Sequence, residues 1–149
     1  MIRIAKPILG KEEEEAVLEV LRSGHIAQGP KVKEFEEKFA EYCGVKHCVA
    51  VSSGTSALVT ALMANGINSG EVITSSFTFI ASANSILACG ARPVFTDIDE
   101  ETYNMDIESL KEKINSKTKA IMPVHLFGYP CDMKAIMEIA EDKNLIVIE

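Results

Sequence analysis

A short run of small polar residues, Ser52-Ser53-Gly54-Thr55-Ser56, has the composition of a phosphate-binding turn. It lies between the apolar residues 49–51 and a very apolar stretch that begins at residue 57, so it is predicted to join a strand to a helix. Gly54 allows close approach of the backbone, while Thr55 and Ser56 supply N–H groups and hydroxyls at the positive end of the helix dipole. The run matches neither a Walker A loop nor the dinucleotide GxGxxG fingerprint. Simple N-capping of the helix is the alternative explanation.

Two further candidates for binding follow predicted strands. Phe77 and Phe79 come directly after the apolar residues 72–74, where an aromatic face can stack on a flat ring. His125 follows the apolar residues 120–124 and is a candidate polar contact. The alternatives are that both phenylalanines belong to the core and that the histidine is a hydrogen-bonded structural residue.

Composition excludes several classes of function. The 149 residues are 47% hydrophobic and 25% charged, as in an ordinary globular protein, and the net charge of −7 argues against nucleic-acid binding. No apolar run is long enough to span a bilayer, and no signal peptide is recognised, so a cytoplasmic protein is expected. The acidic run 12–15 is interpreted as a solvated helix start. No metal site is predicted, because the cysteines and histidines lack zinc-type spacing; they are Cys43, Cys48, Cys89, Cys131, His25, His47 and His125.

Periodicity and punctuation predict alternating helices and strands. Helices are expected near residues 11–22, 30–43, 54–65, 79–89, 107–114 and 133–142, and strands near 47–51, 72–74, 92–96, 120–124 and 145–148. Each of the first two helices is predicted to turn one apolar stripe inward. The stripe of the first helix is Ala16, Val17, Val20 and Leu21, and that of the second is Val32, Phe35, Phe39 and Tyr42. The fold class is therefore α/β, a mainly parallel sheet with helices on both faces.

The last residues, 145–149, read as a buried strand without a following turn or cap. Open α/β sheets place their working groups just beyond the carboxyl ends of strands. We therefore expect the chain to be truncated just before such a group. A natural C-terminal strand is the alternative.

Taken in order, six stretches resemble the DegT/DnrJ/StrS family of sugar aminotransferases, which belongs to fold type I of the pyridoxal-phosphate enzymes. They are Ser23-Gly24-His25-Ile26-Ala27-Gln28-Gly29-Pro30, residues 52–58, Phe77-Thr78-Phe79, Pro93-Val94-Phe95-Thr96-Asp97-Ile98-Asp99, Lys117-Thr118-Lys119-Ala120-Ile121 and Val124-His125-Leu126-Phe127-Gly128. Each is weak alone, but the ordered series is specific and runs through the whole chain. Two departures are a shorter turn at residues 68–72 and Tyr129 in place of a commoner glutamine.

The resemblance implies a role for each candidate. Gly54, Thr55 and Ser56 would hold the phosphate of pyridoxal 5'-phosphate, and Phe79 would stack on its pyridine ring. The loops around His25 and His125 would lie near the substrate. Residues 1–149 would form the N-terminal part of the large domain, with 1–30 as an N-terminal arm and helix and 31–149 as the α/β core.

The implied reaction transfers an amino group, commonly from glutamate, to a keto-sugar carried by a nucleotide diphosphate, in a homodimer that serves amino-sugar and surface polysaccharide biosynthesis. It needs a Schiff-base lysine and an aspartate on the pyridine nitrogen. The family pattern places both beyond Glu149, so no catalytic residue is assigned here and the 149 residues alone are expected to be inactive. Two alternatives remain open, an inactive relic or assembly module of the same fold, and an unrelated Rossmann-like phosphate-binding domain.

Overall fold

The computed structural model describes residues 5–149. Residues 1–4, the start of the predicted N-terminal arm, lie outside the described part. The chain divides into two compact units, Met1–Ala50 and Val51–Glu149. Within residues 5–149, every helix is too short or too polar to cross a membrane.

The first unit contains two helices, α1 (Lys11–Ser23) and α2 (Pro30–Cys43). Glu13 caps α1 by accepting a hydrogen bond of 2.6 Å from the Gly10 N–H. Both helices end at a glycine with positive φ, a conformation that glycine adopts without steric cost. These bounds confirm the two helices predicted from sequence.

The predicted inward stripes of these two helices are wrong. In α1 no residue is buried, and Val17 and Leu21 are both more than half exposed. In α2 only Ala40 is buried, and Tyr42 is almost fully exposed. An amphipathic pattern defines which face of a helix is apolar, but it does not supply the surface that covers that face.

The strand predicted at residues 47–51 is also wrong. The segment is not part of any strand in the structure, although its sequence is typical of one. The N–H of Ala50 donates instead to Glu36 Oε1 over 2.8 Å, and Val49 is largely exposed. Strand propensity depends on a neighbouring strand, and none is paired with this segment within residues 5–149.

The second unit is a parallel sheet of four strands with helices on both faces, which confirms the predicted fold class. The elements are α3 (Gly54–Ala64), β1 (Glu71–Ser75), α4 (Ala81–Ala88), β2 (Arg92–Thr96), α5 (Ile107–Lys113), β3 (Thr118–Met122), α6 (Met133–Lys143) and β4 (Ile146–Val147). The strand order is β2-β1-β3-β4, and every neighbouring pair is parallel. The predicted helix at 79–89 starts two residues later than expected, which leaves Phe79 in a loop.

Alternate residues of the strands build two cores, one on each face. Val72 of β1 packs in a cluster with Leu62 of α3 and Ile86 of α4. Its neighbour Ile73 packs in the other cluster with Ile136 of α6. Because successive side chains of a strand point to opposite faces, α3 and α4 cover one face and α5 and α6 the other.

The apolar helix α3 is less central than its sequence indicates. Of its residues only Leu62 is buried, while Met63 is 65% exposed and Ala57 is also exposed. The apolar composition of this helix therefore does not mean that it is buried on every side. One face packs on the sheet and on α4, and the others are accessible.

A charged group fastens the sheet at the edge where its strands begin. The carboxylate of Glu71, on the first residue of β1, is buried and accepts hydrogen bonds from Arg92 of β2 and from Asn115 Nδ2, the latter over 2.8 Å. These bonds, that from Arg92 first, hold the pKa of the Glu71 carboxyl below its ordinary value. The ionised group therefore joins three neighbouring parts of the sheet.

Replacing Leu62 by alanine should destabilise the second unit strongly. The side chain has 0% exposure, so the change leaves a cavity between α3 and the sheet, and the free energy of unfolding should fall by about 2–5 kcal/mol in urea titrations. Met63→Ala on the same helix is the matched control, with an expected change below about 0.5 kcal/mol. Equal effects of the two variants would contradict the observed orientation of α3.

Replacing Glu71 by glutamine should lower the melting temperature at pH 7 because the charge on the hydrogen-bonded group is lost. The pKa of Glu71 is lower in the folded protein than in the unfolded chain. The extra stability of the wild type is therefore complete above the pKa of an unfolded glutamate, about 4.3, and is lost as the pH falls through the lower folded pKa. Thermal unfolding from pH 7 down to pH 3 should therefore show the two curves converging. Glu112→Gln, at an exposed site on α5, should show no such convergence.

Candidate functional site

The N-termini of α3 and α4 lie at the edge of the sheet where its strands end. The C-terminal ends of these helices meet at the opposite edge. Gly90, which follows α4, lies so close to Asn68, which follows α3, that an added Cβ on Gly90 would be 2.9 Å from the Asn68 carbonyl oxygen. Their bodies also touch, with Cys89 Sγ 3.7 Å from the Val59 carbonyl oxygen. Both helices therefore run antiparallel to β1 and begin at its carboxyl end, which is where open α/β sheets bind ligands.

The turn before α3 presents unpaired donors. Ser53 caps the helix by accepting a hydrogen bond of 3.1 Å from the Ser56 N–H, and its hydroxyl also lies 3.1 Å from Ser56 Oγ. Within residues 5–149, no protein group accepts a hydrogen bond from the N–H of Gly54 or Thr55. Open space surrounds the Cα of Gly54. Capping therefore uses Ser53 and leaves two amides at the positive helix end free for an anion.

Phe79 lies at the head of α4, and its side chain is free to contact a ligand. The residue is 77% exposed, so it does not belong to the core, and nor does the half-exposed Phe77. The loop is held by a hydrogen bond of 2.9 Å between Thr78 Oγ1 and Ser82 Oγ and by one of 3.3 Å from the Phe77 N–H to Ser75 Oγ. An exposed ring on a fixed loop offers a stacking surface.

The structure defines the tautomer of His125. Its Nδ1 accepts a hydrogen bond of 3.1 Å from the Cys131 N–H, so the proton of the neutral ring is on Nε2. That nitrogen lies 2.8 Å from Glu149 Oε2 and donates to it, which connects the ends of β3 and β4. Burial raises the pKa of the neighbouring Cys131 thiol. Both ring nitrogens thus have protein partners, and contact between His125 and a substrate stays a prediction.

His25 lies in the other unit, in the loop between α1 and α2. Its N–H donates to Ser23 Oγ over 3.1 Å, and it lines a cavity of about 400 Å³ together with Ile26 and Pro30. Its predicted proximity to the substrate is not tested by the structure of this unit and stays a prediction.

Sequence reasoning missed three residues at the same edge of the sheet. Asn104 is buried, and it accepts a hydrogen bond of 3.1 Å from the Leu126 N–H while its Nδ2 donates to the Tyr129 carbonyl over 2.9 Å. Tyr103 and Phe127 beside it have positive φ angles of 60° and 52°. The sequence signal for them is weak, since an aspartate at 99 followed by a threonine at 102 indicates a side-chain-capped turn without indicating its purpose.

Together these groups form a surface with distinct chemical properties. The carboxyl edge carries unpaired amides on α3, an exposed ring ahead of α4, and a histidine–carboxylate pair beyond β3 and β4. Such an edge can hold a phosphate and can stack a flat aromatic molecule. This combination fits a phosphorylated aromatic cofactor better than a bare phosphate, which would not use the ring.

Comparison with known proteins extends this description. The family model of the DegT/DnrJ/EryC1/StrS aminotransferase family matches residues 7–149. The chain is 51% identical over 144 residues to the spore coat polysaccharide biosynthesis protein SpsC of Bacillus subtilis, covering 96% of the chain and 37% of that protein. It is 51% identical over 150 residues to a GDP-perosamine synthase of Caulobacter vibrioides, covering 99% of the chain and 40% of that protein. A dTDP-3-amino-3,6-dideoxy-alpha-D-galactopyranose transaminase of Aneurinibacillus thermoaerophilus is 49% identical over 140 residues, covering 93% of the chain and 39% of that protein.

Solved structures agree with the fold. DesV of S. venezuelae, determined in complex with a ketimine intermediate, superposes with a TM-score of 0.89 at 40% identity, over 92% of the chain and 37% of DesV. NtdA of Bacillus subtilis, determined with bound cofactor PMP, superposes with a TM-score of 0.91 at 38% identity, over 95% of the chain and 34% of NtdA.

The chain spans about two fifths of the length of the curated relatives it matches. Aminotransferases of this family depend on pyridoxal phosphate. The match over nearly the whole chain and the close relatives together establish that this chain belongs to the DegT/DnrJ/EryC1/StrS aminotransferase family.

Proposed function

We propose that this chain contributes the cofactor-binding edge of a pyridoxal-phosphate-dependent aminotransferase that acts on a nucleotide-linked keto-sugar. The observation that supports it most is the pair of unpaired amides, Gly54 and Thr55, at the start of a helix beside a loop with an exposed phenylalanine. A relative named as a GDP-perosamine synthase and another named as the transaminase of a dTDP-linked amino sugar support the substrate class.

The phosphate of the cofactor would occupy the turn at the start of α3. The amides of Gly54 and Thr55 would donate to it, and the helix dipole would add a favourable potential. The hydroxyl of Ser56, already 3.2 Å from Ser52 Oγ and free to rotate, would supply another donor. No basic side chain is required at this turn, because backbone donors provide the positive potential.

Phe79 would position the pyridine ring of the cofactor by stacking. When bound, the cofactor supplies the electron sink for moving an amino group. The described residues contribute binding and orientation to this chemistry. An exposed aromatic side chain at the sheet edge is consistent with such a contact, because the ring otherwise remains in water at an energetic disadvantage.

We further propose that the 149 residues alone do not transaminate. In the second unit, Lys117 and Lys119 lie at the start of β3, and Lys143 lies at the end of α6, so these side chains begin at the edge opposite to Phe79. Lys111 and Lys113 in the last turn of α5 and Lys134 at the start of α6 lie on the other face of the sheet from α3 and α4. This placement gives no lysine of the second unit a short path to the proposed ring position.

Glutamate as amino donor, a homodimer and a place in surface polysaccharide biosynthesis complete the proposal. The polysaccharide role is supported by the name of the SpsC relative. Action in the cytoplasm is supported by the four free cysteines, which are typical of a reducing compartment. The division of the chain into arm 1–30 and core 31–149 stays a prediction.

Replacing Phe79 by alanine should weaken cofactor binding. Loss of a stacked ring should reduce the affinity for pyridoxamine phosphate about 3- to 10-fold, as measured by fluorescence titration of the protein expressed with any residues that follow Glu149 in its gene. Pyridoxamine phosphate is chosen because it forms no covalent bond with a lysine, so its affinity reports the non-covalent contacts alone.

Phe77→Ala is the matched control, since its ring packs against Tyr103 and Phe127. It should leave the affinity for pyridoxamine phosphate unchanged. A protein that does not bind this cofactor would argue for an assembly module that retains the fold without the chemistry. A Phe79 variant that binds as well as the wild type would contradict the stacking contact. Amino transfer from glutamate, followed in parallel, should be absent for residues 1–149 alone.

A further inference from the structure

Three aromatic side chains form an exposed wall beside the candidate cofactor site. We name Phe77, Tyr103 and Phe127 the aromatic wall. The ring centroid of Phe77 lies 6.1 Å from that of Tyr103 and 6.5 Å from that of Phe127, with interplanar angles of 60° and 78°. All three rings remain open to solvent, and Phe127 is 91% exposed. A folded protein gains little stability from such rings unless something covers them.

The backbone beneath the wall is strained. Tyr103 and Phe127 have φ angles of 60° and 52°, in the left-handed region that bulky residues rarely occupy. Such strain persists only where surrounding bonds maintain it, and it is concentrated at functional sites. Here the strain holds two rings outward, where they add little to the core. This combination indicates a binding surface.

Asn104 holds the strained loops together. Its buried amide bonds to both ends of the turn that carries Phe127, through the Leu126 N–H and the Tyr129 carbonyl. Its own backbone carbonyl accepts from the Asp99 N–H over 2.9 Å, which closes the loop that carries Tyr103. A single buried side chain therefore sets the position of two rings of the wall relative to each other.

The wall is continuous with the candidate cofactor site. Phe77 and Phe79 belong to the same loop after β1, two residues apart, and Phe127 follows His125 by two residues in the loop after β3. Because β1 and β3 are neighbouring parallel strands, the loops that carry Phe77, Phe79 and Phe127 reach the same side of the sheet. The wall is thus placed to meet the part of a substrate next to the reacting atom.

The size and charge of this region favour a sugar over a protein or a phosphate. The exposed faces of three rings are much smaller than the roughly 800 Å² per partner of a standard protein interface, so they suit a small molecule. The cavity lined by Asn104 and Tyr129, of about 460 Å³, also has five carboxylates in its lining, Asp99, Glu101, Asp106, Glu108 and Asp132. Three of them, Asp99, Asp106 and Asp132, already accept hydrogen bonds from backbone N–H groups. Carboxylates accept hydrogen bonds from hydroxyl groups and repel a diphosphate.

We propose that the aromatic wall binds the apolar C–H face of the deoxy-hexose in a nucleotide-linked substrate, with the diphosphate directed away from it. The inference rests on the proposed function and assigns to it a specificity-determining surface. Sugars that lack hydroxyls, such as the 3,6-dideoxy sugar in the name of one relative, present a larger apolar face to such rings. The wall therefore selects for deoxy-hexoses over fully hydroxylated ones.

Replacing Phe127 by alanine should weaken sugar binding without affecting the nucleotide. Calorimetric titration of the pyridoxamine-phosphate-loaded protein, with any residues that follow Glu149, would use GDP-perosamine and dTDP-3-amino-3,6-dideoxygalactose, each beside its free nucleoside diphosphate. The pyridoxamine form carries no aldehyde, so the amine of the probe forms no covalent bond with it. For the amino-sugar probe that binds the wild type, the dissociation constant should rise about 3- to 10-fold in Phe127→Ala and in Phe77→Ala. Affinity for the free diphosphate and for the cofactor should not change.

Leu87→Ala is the matched control, because it removes an exposed apolar side chain at the far end of α4. The proposal would be overturned if Phe127→Ala and Phe77→Ala bound the amino-sugar probe as tightly as this control. The proposed function would then remain intact. An equal loss for the free diphosphate would also overturn it, since the wall would then contact the nucleotide. A wild-type protein that binds the cofactor but neither amino-sugar nucleotide would refute both the proposed substrate class and the wall.

Asn104 variants test whether the wall is held in place as argued. Asn104→Ala should weaken probe binding about as much as Phe127→Ala and should speed hydrogen exchange of the Leu126 amide, because both bonds to that turn are lost. Asn104→Asp keeps the acceptor for the Leu126 N–H but places a carboxylate oxygen against the Tyr129 carbonyl oxygen at a buried site, so it should not restore probe binding. Faster exchange with unchanged probe affinity would show that Asn104 does not position a binding surface.

Discussion

The parallel order of the four strands is the constraint on which the candidate site depends. Each helix returns the chain to the opposite edge of the sheet, so every loop that follows a strand reaches the same side. Residues far apart in sequence, Phe79 after β1 and His125 after β3, are neighbours in this arrangement for that reason alone. The start of α3 joins them because that helix, like α4, runs antiparallel to β1. The site is thus a product of topology before it is a product of any single side chain.

The two edges of the sheet hold their polar groups in opposite ways. At the edge where strands begin, Glu71 has all its partners within the protein and serves to fasten β1, β2 and the approach to β3. At the carboxyl edge, the amides of Gly54 and Thr55 have no protein partner within residues 5–149, and Phe79 has no apolar cover there. A helix end without partners and a ring in water both lower stability. Their occurrence together at one edge is what a binding surface requires.

The sequence predicts the second unit well and the first unit poorly, for a physical reason. In Val51–Glu149 the strand and helix patterns are matched by partners within the unit, so β2, α5 and α6 lie where periodicity places them. In Met1–Ala50 the helix bounds are correct because capping is local, but the predicted strand at 47–51 and the apolar stripes need non-local partners. Likewise the Ser53 cap of α3 follows from local chemistry, whereas the conformations of Tyr103 and Phe127 depend on the contacts of Asn104 across two loops, which no local pattern encodes.

The loop after β1 shows how one short segment can serve two ligand groups. Phe77 and Phe79 differ in what surrounds them, since Phe77 contacts two other aromatic rings whereas Phe79 stands alone at the head of α4. A clustered set of rings at steep angles makes a corner that suits the uneven face of a saturated ring, whereas a lone exposed ring suits stacking on a flat one. Because the hydroxyls of Ser75, Thr78 and Ser82 hold the loop, the two phenylalanines cannot exchange these roles without breaking those bonds. The spacing of a cofactor ring and a sugar ring would therefore be set by the backbone of this loop.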